Sequence, residues 1–600
     1  MCGIIGFTGN YSRQVLSEMI KSVSHRGPDD LAFYQEKVSL GMKRLSIIDL
    51  RKKLYPLKSD DGKLILIYNG EIYNHQALKN RFPQLAEKLV TKIDGEVILY
   101  LYQKYGERCL KYLEGMFAFV IYDKDKEQLF CARDRFGEKP FYYAEKNGEI
   151  IFGSEAKSLL VHPSVSKKIS HQSLYYYLRF GFSPLEKSIF EDIKKLLPGH
   201  YLIWDLKGKR VTVKRYWSLD TYFDKNMNYD MNSVLSRTEN YLLSSIKSRL
   251  ISDVPIGVFL SGGVDSSLVT AIASRFYAGT LSTFSVKITD SSLDESEKAL
   301  ELSKNLGTKH YQVTFSASDI IGNSVGLNER ADEPICDPGA IPTFKMSFQA
   351  KKKVKVVLTG EGADELFGGY GWYKKNLNFE SKWGWLPKPL GTIKGKVLPY
   401  KFIRLFSPLT VNYFPPQYFS IWKAANLITS RKVIFDDPFY DFKQKGFSDP
   451  LQLMQYVDVK SYLADHLLTK VDRATMAHGL EARTVFLEHN FFNYIYNLPI
   501  ELKIFDENTE KYILRKVAEK YLPRSYCWQK KQGFSLPLAN WLRKEIYSFS
   551  RETIGNIGNL DLPLNMQYAF RLLDQHKSGL DNSHSLWNLI CLINWYKGVN

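Results

Sequence analysis

Residues 256–267 read Ile-Gly-Val-Phe-Leu-Ser-Gly-Gly-Val-Asp-Ser-Ser, an apolar stretch that runs into a glycine- and serine-rich loop. The apolar part predicts a buried strand, and the pattern from Ser267 onward predicts a helix. Glycines let the backbone wrap closely around an anion, and the helix N-terminus presents free N–H groups and a positive dipole end. The loop lacks the Gly-Lys-Ser/Thr ending of a Walker A motif. It therefore predicts a phosphate site of another type in an α/β domain.

A second glycine-rich loop, residues 359–370, follows an apolar strand predicted at 354–358. In one parallel sheet both loops would leave the carboxyl ends of their strands, where ligands bind. Acidic side chains that face a triphosphate need a divalent cation between them, so Asp265 and Asp364 are candidate Mg²⁺ ligands. The alternative for Asp364 is a cap on the helix that follows.

The periodicity divides the chain of 600 residues, which is too long for one core. Residues 2–205 contain short alternating apolar runs separated by turns, which predicts mostly β structure with a few helices. Residues 206–230 are polar and predict a linker. Residues 231–600 alternate strands with helices, which predicts a parallel sheet covered by helices, and the helical period dominates beyond about residue 450.

Cys2 carries the chemistry of the first part. Removal of Met1 would leave a thiol and a free α-amine on one residue, which is a nucleophile with its own base, as in N-terminal-nucleophile hydrolases. The alternative is a small apolar residue that begins a strand, because a lone cysteine is most often a packing residue.

Composition excludes several classes of protein. The net charge is +18, from 82 basic and 64 acidic residues, but the lysines are spread along the chain and no nucleic-acid-binding motif accompanies them. No apolar run is long enough to span a bilayer, and no basic segment precedes the apolar start as in a signal peptide. The six cysteines show neither metal-ligand spacing nor a disulfide framework. We expect a cytoplasmic protein without nucleic-acid partners.

Together these motifs identify a family resemblance. The chain resembles the glutamine-hydrolysing asparagine synthetases, which carry a class II glutamine amidotransferase domain, over nearly its whole length. The matching segments are MCGIIGF, HRGPDD (25–30), RLSIIDL (44–50), NGEIYNH (69–75), DGEVIL (94–99), RDRFGEKPFYY (133–143), KLLPGH (195–200), RYW (215–217), DVPIGVFLSGGVDSS (253–267), LTGEGADELFGGY (358–370), KVDRATMAHGLEAR (470–483), KYILRK (511–516) and KQGFSLPLANWL (531–542).

The resemblance implies an architecture and a set of substrates. The first domain would be an α+β Ntn-hydrolase domain, an αββα sandwich that hydrolyses glutamine. The second would be an α/β PP-loop domain of the ATP-pyrophosphatase type, with a helical C-terminal part, that adenylates aspartate at the expense of ATP and with Mg²⁺. Ammonia would pass between the two sites through a sheltered path. The resemblance is also compatible with a homodimer.

For the glutaminase site, the resemblance places Cys2 as the nucleophile and Asn69 and Gly70 as the oxyanion hole. Oxyanion donors act on charge that develops in the tetrahedral intermediate. Arg44 would hold the α-carboxylate of glutamine, a task that suits a guanidinium. The other residues expected to bind glutamine are Leu45, Ser46, Ile47, Ile48, Glu71 and Asp94, of which the two acids would hold its α-ammonium.

For the synthetase site, the resemblance implies that Glu361 serves in acyl-adenylate formation and ammonia attack. It also implies that Lys511 stabilises negative charge during adenylation. The residues expected to bind ATP are Leu260, Ser261, Gly262, Gly263, Asp265, Ser266, Val286, Thr359 and Gly360.

One departure leaves the acceptor open. After Glu481-Ala482-Arg483 the family continues Val-Pro-Phe-Leu-Asp-His, whereas this chain reads Thr-Val-Phe-Leu-Glu-His from Thr484. Asparagine synthesis is the expected reaction. The alternatives are amidation of another carboxylate, such as a uronic acid of a surface polysaccharide, and a non-catalytic regulator that keeps the fold.

Overall fold

The structure is a computed structural model that describes residues 2–51, 53, 55–219, 230–289, 294–383, 421–430, 433, 438, 439, 442, 447, 449–506, 509–530 and 536–599. The beginning of the KQGFSLPLANWL segment, residues 531–535, and residues 220–229 of the predicted linker lie outside the described residues.

Two antiparallel sheets of six strands each form the N-terminal part. Their order is β10-β8-β9-β1-β3-β2 in one sheet and β12-β11-β7-β6-β5-β4 in the other. The strands are β1 (Cys2–Thr8), β2 (Asp30–Gln35), β3 (Val38–Arg44), β4 (Leu57–Lys58), β5 (Leu64–Ile72), β6 (Gly115–Asp123), β7 (Gln128–Arg133), β8 (Tyr142–Lys146), β9 (Glu149–Gly153), β10 (Lys194–Lys195), β11 (His200–Asp205) and β12 (Arg210–Arg215).

Successive side chains of a strand point to opposite faces of its sheet, and this alternation shows how the two sheets and the helices are stacked. Ile4 of β1 and Ile67 of β5 belong to one buried cluster between the two sheets. Ile5 and its neighbours on the opposite face of β1 pack against the helix Arg13–Ser22. Leu66 of β5 packs, on the far side of the second sheet, with residues of the helix Val97–Tyr105. Helix, sheet, sheet and helix are thus stacked in that order, which confirms the αββα sandwich. The other α-helices of this part are His75–Arg81, Pro83–Lys88, Ala156–Leu159 and His171–Phe180.

The first half of the predicted linker is part of the sandwich, so the linker prediction was wrong there. Strand β12 pairs along its whole length with β11, from His200 opposite Arg215 to Asp205 opposite Arg210. Val211 packs against the inter-sheet core, whereas its neighbours on the strand are largely exposed. The many polar residues of this stretch are those of an edge strand, which the sequence did not distinguish from a linker.

The C-terminal part is built on a parallel sheet of five strands in the order β15-β14-β13-β16-β17. The strands are β13 (Ile256–Phe259), β14 (Ser282–Ile288), β15 (Lys309–Phe315), β16 (Val356–Thr359) and β17 (Glu481–Thr484). The strand order reverses between β13 and β16, which is where open α/β sheets bind ligands. Both glycine-rich loops follow these two strands. A small hairpin, β18 (Ile504–Asp506) and β19 (Thr509–Glu510), lies further along the chain.

Helices surround this sheet and make up most of the described chain beyond residue 484, which confirms the predicted helical C-terminal part. The α-helices are Met231–Arg249, Val264–Phe276, Ser296–Asn305, Ala317–Arg330, Ala340–Ala350, Ala363–Phe367, Gly371–Trp383, Ile421–Leu427, Pro450–Asp458, Leu468–Met476, His489–Tyr496, Ile500–Lys503, Tyr512–Ala518, Arg524–Cys527, Leu538–Arg543, Tyr547–Gly555, Met566–Lys577 and Ser583–Val599. A π-helix, Val459–Leu467, joins two of them. Among the described residues, no helix is both long and apolar enough to cross a membrane.

Candidate active sites

Cys2 lies at the start of β1, buried to 7% exposure and paired with Arg44 on β3. Its backbone N–H donates to Oδ1 of Asn69 on β5, 2.9 Å away. Burial raises the pKa of the Cys2 thiol, although the Leu45 backbone and the Arg44 charge lower it in part. The thiol therefore stays protonated at neutral pH and needs a base to become a nucleophile.

Asn69 offers one unused donor next to this thiol. The side-chain oxygen of Asn69, Oδ1, accepts from Cys2. The side-chain nitrogen, Nδ2, is buried without a hydrogen-bond partner among the described residues. A buried orphan donor is rare and costs free energy unless a ligand satisfies it. The next residue, Gly70, admits no side chain, because a Cβ there would lie 2.1 Å from the Met116 carbonyl oxygen. The arrangement suits an oxyanion that forms beside Cys2.

We expect Asn69→Ala to lower kcat for glutamine hydrolysis about 10²- to 10³-fold, because an oxyanion donor of this kind is lost. Ammonium-dependent synthesis should stay near the wild-type rate, since Asn69 belongs to the other domain. Glutamate release and pyrophosphate release, measured in parallel, check both halves. The control is Asn74→Ala, which removes an amide that bonds only to the backbone of Tyr112 and Glu114. Wild-type glutamate release by the Asn69 variant would contradict the assignment.

Glu71 and Asp94 form a buried pair of carboxylates beside the same strand. Glu71 is 5% and Asp94 3% exposed. Asp94 Oδ2 accepts from the Tyr68 hydroxyl at 2.8 Å and from the Ile72 N–H at 2.5 Å. Burial raises the pKa of Glu71 well above its ordinary value, and the Asp94 charge raises it further; burial also raises the pKa of Asp94. A cation between the two groups would relieve this penalty, and an α-ammonium group supplies one.

Arg44 is already engaged with the loop that follows β3. Its Nη1 donates to the Arg51 carbonyl at 2.7 Å, and its Nη2 donates to the carbonyls of Ile48 and Asp49 at 3.0 and 2.5 Å. These bonds use three of the five N–H donors of the guanidinium, so two donors remain for a substrate carboxylate. In this structure the arginine holds in place the segment that contains the expected glutamine-binding residues Leu45, Ser46, Ile47 and Ile48.

Arg483 is a residue of this site that sequence reasoning missed. It comes from β17 of the other domain and is fully buried. Its Nη2 lies 3.2 Å from Glu71 Oε1, and its Nε donates to Glu481 Oε1 at 2.7 Å. The segment around Glu481 and Arg483 was noted in the sequence, but no spacing there indicates a contact more than 400 positions away.

The departure from the family at Thr484 also has a structural explanation. The Thr484 hydroxyl donates to Oε2 of Glu138 in the first domain. Burial raises the pKa of Glu138 to about 7. Neither Thr484 nor Val485 is among the residues that line the cavity of the second domain. The departure therefore changes a contact between the domains and not the wall of that cavity.

A cavity of about 1190 Å³ opens at the carboxyl ends of β13 and β16. Gly262, which was predicted to bind ATP, is not among its lining residues; it has a φ of +90°, and its carbonyl accepts from the side chain of Gln529 at 2.7 Å. The other residues predicted for this site all line the cavity: Leu260, Ser261, Gly263, Asp265, Ser266, Val286, Thr359, Gly360, Glu361, Asp364 and Lys511.

The first glycine-rich loop is shaped for an anion. The helix Val264–Phe276 begins directly after Gly263, so Asp265 and Ser266 lie in its first turn. The Ser266 hydroxyl accepts from the Ser261 N–H at 3.1 Å, which closes the loop. Free N–H groups of the first helical turn then face the cavity, where phosphate oxygens can accept from them.

Lys511 joins the two candidate metal ligands. Its Nζ lies 2.5 Å from Asp265 Oδ2 and 2.7 Å from Asp364 Oδ1, and its side chain is 2% exposed. Lys511 has a left-handed backbone (φ +56°) just before the helix Tyr512–Ala518, which turns the side chain toward these acids. Burial alone would lower the pKa of Lys511, but the two carboxylates outweigh it and raise the pKa. The lysine is therefore a fixed cation at neutral pH.

The two aspartates fit Mg²⁺. Asp265 Oδ1 is buried without a hydrogen-bond partner among the described residues, so one hard oxygen ligand is available. Mg²⁺ commonly takes only one or two carboxylates and completes its shell with water and substrate phosphates. The described residues contain no cluster of three or more His, Cys, Asp or Glu that could hold a metal by themselves.

Glu361 faces two further residues that sequence reasoning did not single out. Oε2 of Glu361 is buried without a hydrogen-bond partner among the described residues. Lys470 and Asp337 line the same cavity and form an ion pair at 3.3 Å. The charges of Asp337 and then Glu361 raise the pKa of Lys470 against the effect of burial. Lys470 is the first residue of the KVDRATMAHGLEAR segment, and this match to the family was the only indication in the sequence that Lys470 belongs to the site.

Comparison with known proteins agrees with two separate sites in two domains. Residues 1–217 match a family model described as glutamine amidotransferase domain, and residues 237–597 match one described as asparagine synthase. Asparagine synthetase [glutamine-hydrolyzing] 1 of Bacillus subtilis is 32% identical, over 99% of this chain and 96% of its own length. A putative asparagine synthetase of Mycobacterium tuberculosis is 30% identical over 99% of this chain and 97% of its own length.

A relative with a different name is amidase chyE of Penicillium rubens, which is 28% identical over 94% of this chain and 93% of its own length. The two family models together cover both described sites. The chain thus belongs to the family of glutamine-hydrolysing asparagine synthetases, with an N-terminal glutamine amidotransferase domain and a C-terminal asparagine synthase domain.

Proposed function

We propose that the protein makes asparagine from aspartate, glutamine and ATP and releases glutamate, AMP and pyrophosphate. A carboxylate resists attack by ammonia, so it is first adenylated, which converts it into a good acyl donor. Ammonia comes from glutamine hydrolysed inside the protein, because free ammonia is mostly protonated at neutral pH.

In the glutaminase half, the Cys2 thiol attacks the side-chain amide of glutamine. The α-amine that Cys2 gains when Met1 is removed takes the proton and returns it to the departing ammonia. Nδ2 of Asn69 and the Gly70 N–H stabilise the oxyanion. Glu71 and Asp94 hold the α-ammonium group of glutamine. Water then releases glutamate from the thioester.

In the synthetase half, the loop of residues 261–267 binds the phosphates of ATP through backbone N–H groups. Asp265 and Asp364 would hold Mg²⁺, which when bound neutralises charge on the triphosphate. Lys511 stabilises the negative charge that develops as the carboxylate attacks the α-phosphorus and pyrophosphate leaves. Glu361 accepts a proton from ammonia as the amide forms.

The observation that supports this reading most directly is that one chain carries both an orphaned amide donor beside a buried thiol and a Lys–Asp–Asp cluster beside a phosphate loop. Hydrolysis of glutamine alone would require only the first site, and adenylation alone would require only the second. Their combination fits transfer of nitrogen from glutamine to an activated acid.

The acceptor is tested by a substrate panel. Purified protein with ATP and Mg²⁺ is given ammonium chloride or glutamine, and pyrophosphate release is measured with aspartate, glutamate, a uronic acid or no acid. We expect release that depends on aspartate with both nitrogen donors, and asparagine as the product by mass spectrometry. No release with aspartate would overturn the assignment.

A second candidate function is amidation of another carboxylate by the same chemistry. The relative named as an amidase supports it, since a protein 28% identical over 94% of this chain carries a name that does not include asparagine synthesis. Release of pyrophosphate with the uronic acid and not with aspartate would favour this candidate.

A further inference from the structure

Arg483 enters the glutamine site from the second domain, and its own domain holds it in place. It lies on β17 and is fully buried. Its Nε donates to Glu481 Oε1 at 2.7 Å, and its Nη1 donates to the carbonyls of Arg249 and Ile251, each at 2.7 Å. These three contacts fix the guanidinium, so Nη2 is the nitrogen that faces the first domain.

Nη2 meets Glu71 as a neighbouring charge and not as a hydrogen-bond donor. It lies 3.2 Å from Glu71 Oε1, yet it is buried without a hydrogen-bond partner among the described residues. A cation at this distance stabilises the carboxylate form of Glu71. Because no hydrogen bond from Nη2 occupies Oε1, its lone pairs stay available for another donor, such as an α-ammonium group.

Arg483 stands where Glu71 most needs a cation. Asp94 and Glu481, two carboxylates that are 3% and 0% exposed, act on the same group. Burial and these two charges raise the pKa of Glu71, whereas the charges of Arg483 and, less strongly, of the α-amino group lower it. Two buried phenols also face this carboxylate, those of Tyr55 and Tyr68. Since an α-ammonium group pairs with a carboxylate and not with a carboxylic acid, Arg483 favours the form that binds glutamine.

We propose that Arg483 completes the glutamine site from the second domain: it keeps Glu71 a carboxylate for the α-ammonium group of glutamine and so sets the selectivity for substrates that carry this group. Arg483 is a positioning residue in this scheme, because it acts on glutamine through Glu71. The proposal rests on the proposed function only for the hydrolysis of glutamine in the first domain.

The test compares hydrolysis of glutamine with hydrolysis of glutaramate, which is glutamine without its α-amino group. Both substrates use the same nucleophile and base, so the ratio of their kcat/KM values reports the α-ammonium site alone. In Arg483→Met we expect this ratio to fall about tenfold or more, as for loss of one partner of a buried charge pair. The loss should be in KM for glutamine, with kcat changed less than about twofold. Arg483→Lys, which keeps a cation, should recover part of the ratio.

A double-mutant cycle separates this role from a purely structural one. Glu71→Gln keeps the shape of the side chain and removes its charge. Arg483→Met should therefore change the ratio by less than about twofold when Glu71→Gln is already present. An equal effect of Arg483→Met in both backgrounds would overturn the proposal, because Arg483 would then not act through Glu71.

The matched control is Arg249→Met. Arg249 is another buried arginine of the second domain, 1% exposed, and like Arg483 it lies over the ring of Tyr73. Its side chain donates to the Thr484 carbonyl at 2.6 Å and to the Ser245 hydroxyl at 2.9 Å, both in its own domain. This variant should keep the wild-type ratio. A fall as large as that of Arg483→Met would overturn the proposal, since loosening of the domain contact would then explain both.

Glu481→Gln covers the case in which the Arg483 variants do not fold, because it keeps an oxygen that accepts from Arg483 and removes only a charge. Below its pKa Glu71 is neutral and glutamine loses a partner, so the ratio should fall as the pH falls. Glu481 raises the pKa of Glu71, so in Glu481→Gln this fall should occur at lower pH than in the wild type.

A fall at the same or at higher pH in Glu481→Gln would overturn the proposal, because neighbouring charges would then not control Glu71. Failure of the proposed function is a separate result, namely no pyrophosphate release with aspartate and ammonium in the panel above. That result would leave the ratio for glutamine and glutaramate unchanged.

Discussion

Cys2→Ala is expected to lower glutamine-dependent amidation by about 10⁴-fold or more, the usual effect of removing a catalytic nucleophile. Ammonium-dependent amidation should survive, because the phosphate loop and the Lys511 cluster lie in the other domain. Burial keeps the thiol protonated, so activity should depend on a base beside it and not on a free thiolate. The measurement compares product formed from glutamine with product formed from ammonium chloride.

Cys131→Ala is the matched control for this prediction. Cys131 lies on β7 in the same core between the sheets as Cys2, and burial is what raises the pKa of its thiol. It should therefore keep both activities, with at most a loss of stability of the size expected for a small cavity. If Cys2→Ala kept its glutamine-dependent activity, the nucleophile would have to be another group.

Lys511→Met is expected to lower amidation about 10²- to 10³-fold with either nitrogen donor, because a fixed cation that faces developing negative charge is lost. The same substitution leaves Asp265 and Asp364 without their shared counter-ion. Their mutual repulsion should favour Mg²⁺, so a higher affinity for Mg²⁺ alone is expected alongside the lower kcat. Pyrophosphate release and a Mg²⁺ titration measure the two effects.

Lys345→Met serves as the control for Lys511. Lys345 also binds an aspartate, Asp319, at 2.6 Å in the same domain, but it does not line the cavity. Its loss should leave kcat and Mg²⁺ affinity close to wild type. Glutamate release should remain in both lysine variants, which shows that the first domain is folded. Undiminished pyrophosphate release by Lys511→Met would remove Lys511 from the synthetase mechanism.

Local patterns predicted the elements of both sites well. The strand, loop and helix around Ser261 and Gly263 form, since apolar runs, glycines and helical periodicity act over a few residues, but the helix begins at Val264 and not at the predicted Ser267. The second loop lies beside the first because parallel strands end at one edge of a sheet. Strand β12 was missed because a polar edge strand has no local sequence pattern that distinguishes it from a linker.

Contacts between distant segments were not predictable in this way. Arg483 reaches Glu71, Arg26 binds Asp472, and Thr484 satisfies Glu138, all across the boundary between the two parts of the chain. Each of these residues reads locally as a charged or polar residue of an ordinary strand, loop or helix. Their burial depends on the packing of the two parts of the chain against each other. Burial in turn sets both the strength of the electrostatic interactions and the desolvation penalty of the charged groups.

By itself the sequence determined the two motifs on which the proposed chemistry depends, the segment that begins with Cys2 and the glycine-rich loop at the end of a strand, since both consist of residues that are neighbours along the chain. The tertiary structure decided which groups surround them. It set Lys511 between Asp265 and Asp364, left Nδ2 of Asn69 without a partner among the described residues, and linked the Cys2 carbonyl through Arg26 to Asp472 of the second domain. The physical reason is that hydrogen bonds and ion pairs act over a few ångströms in space, whatever the separation along the chain.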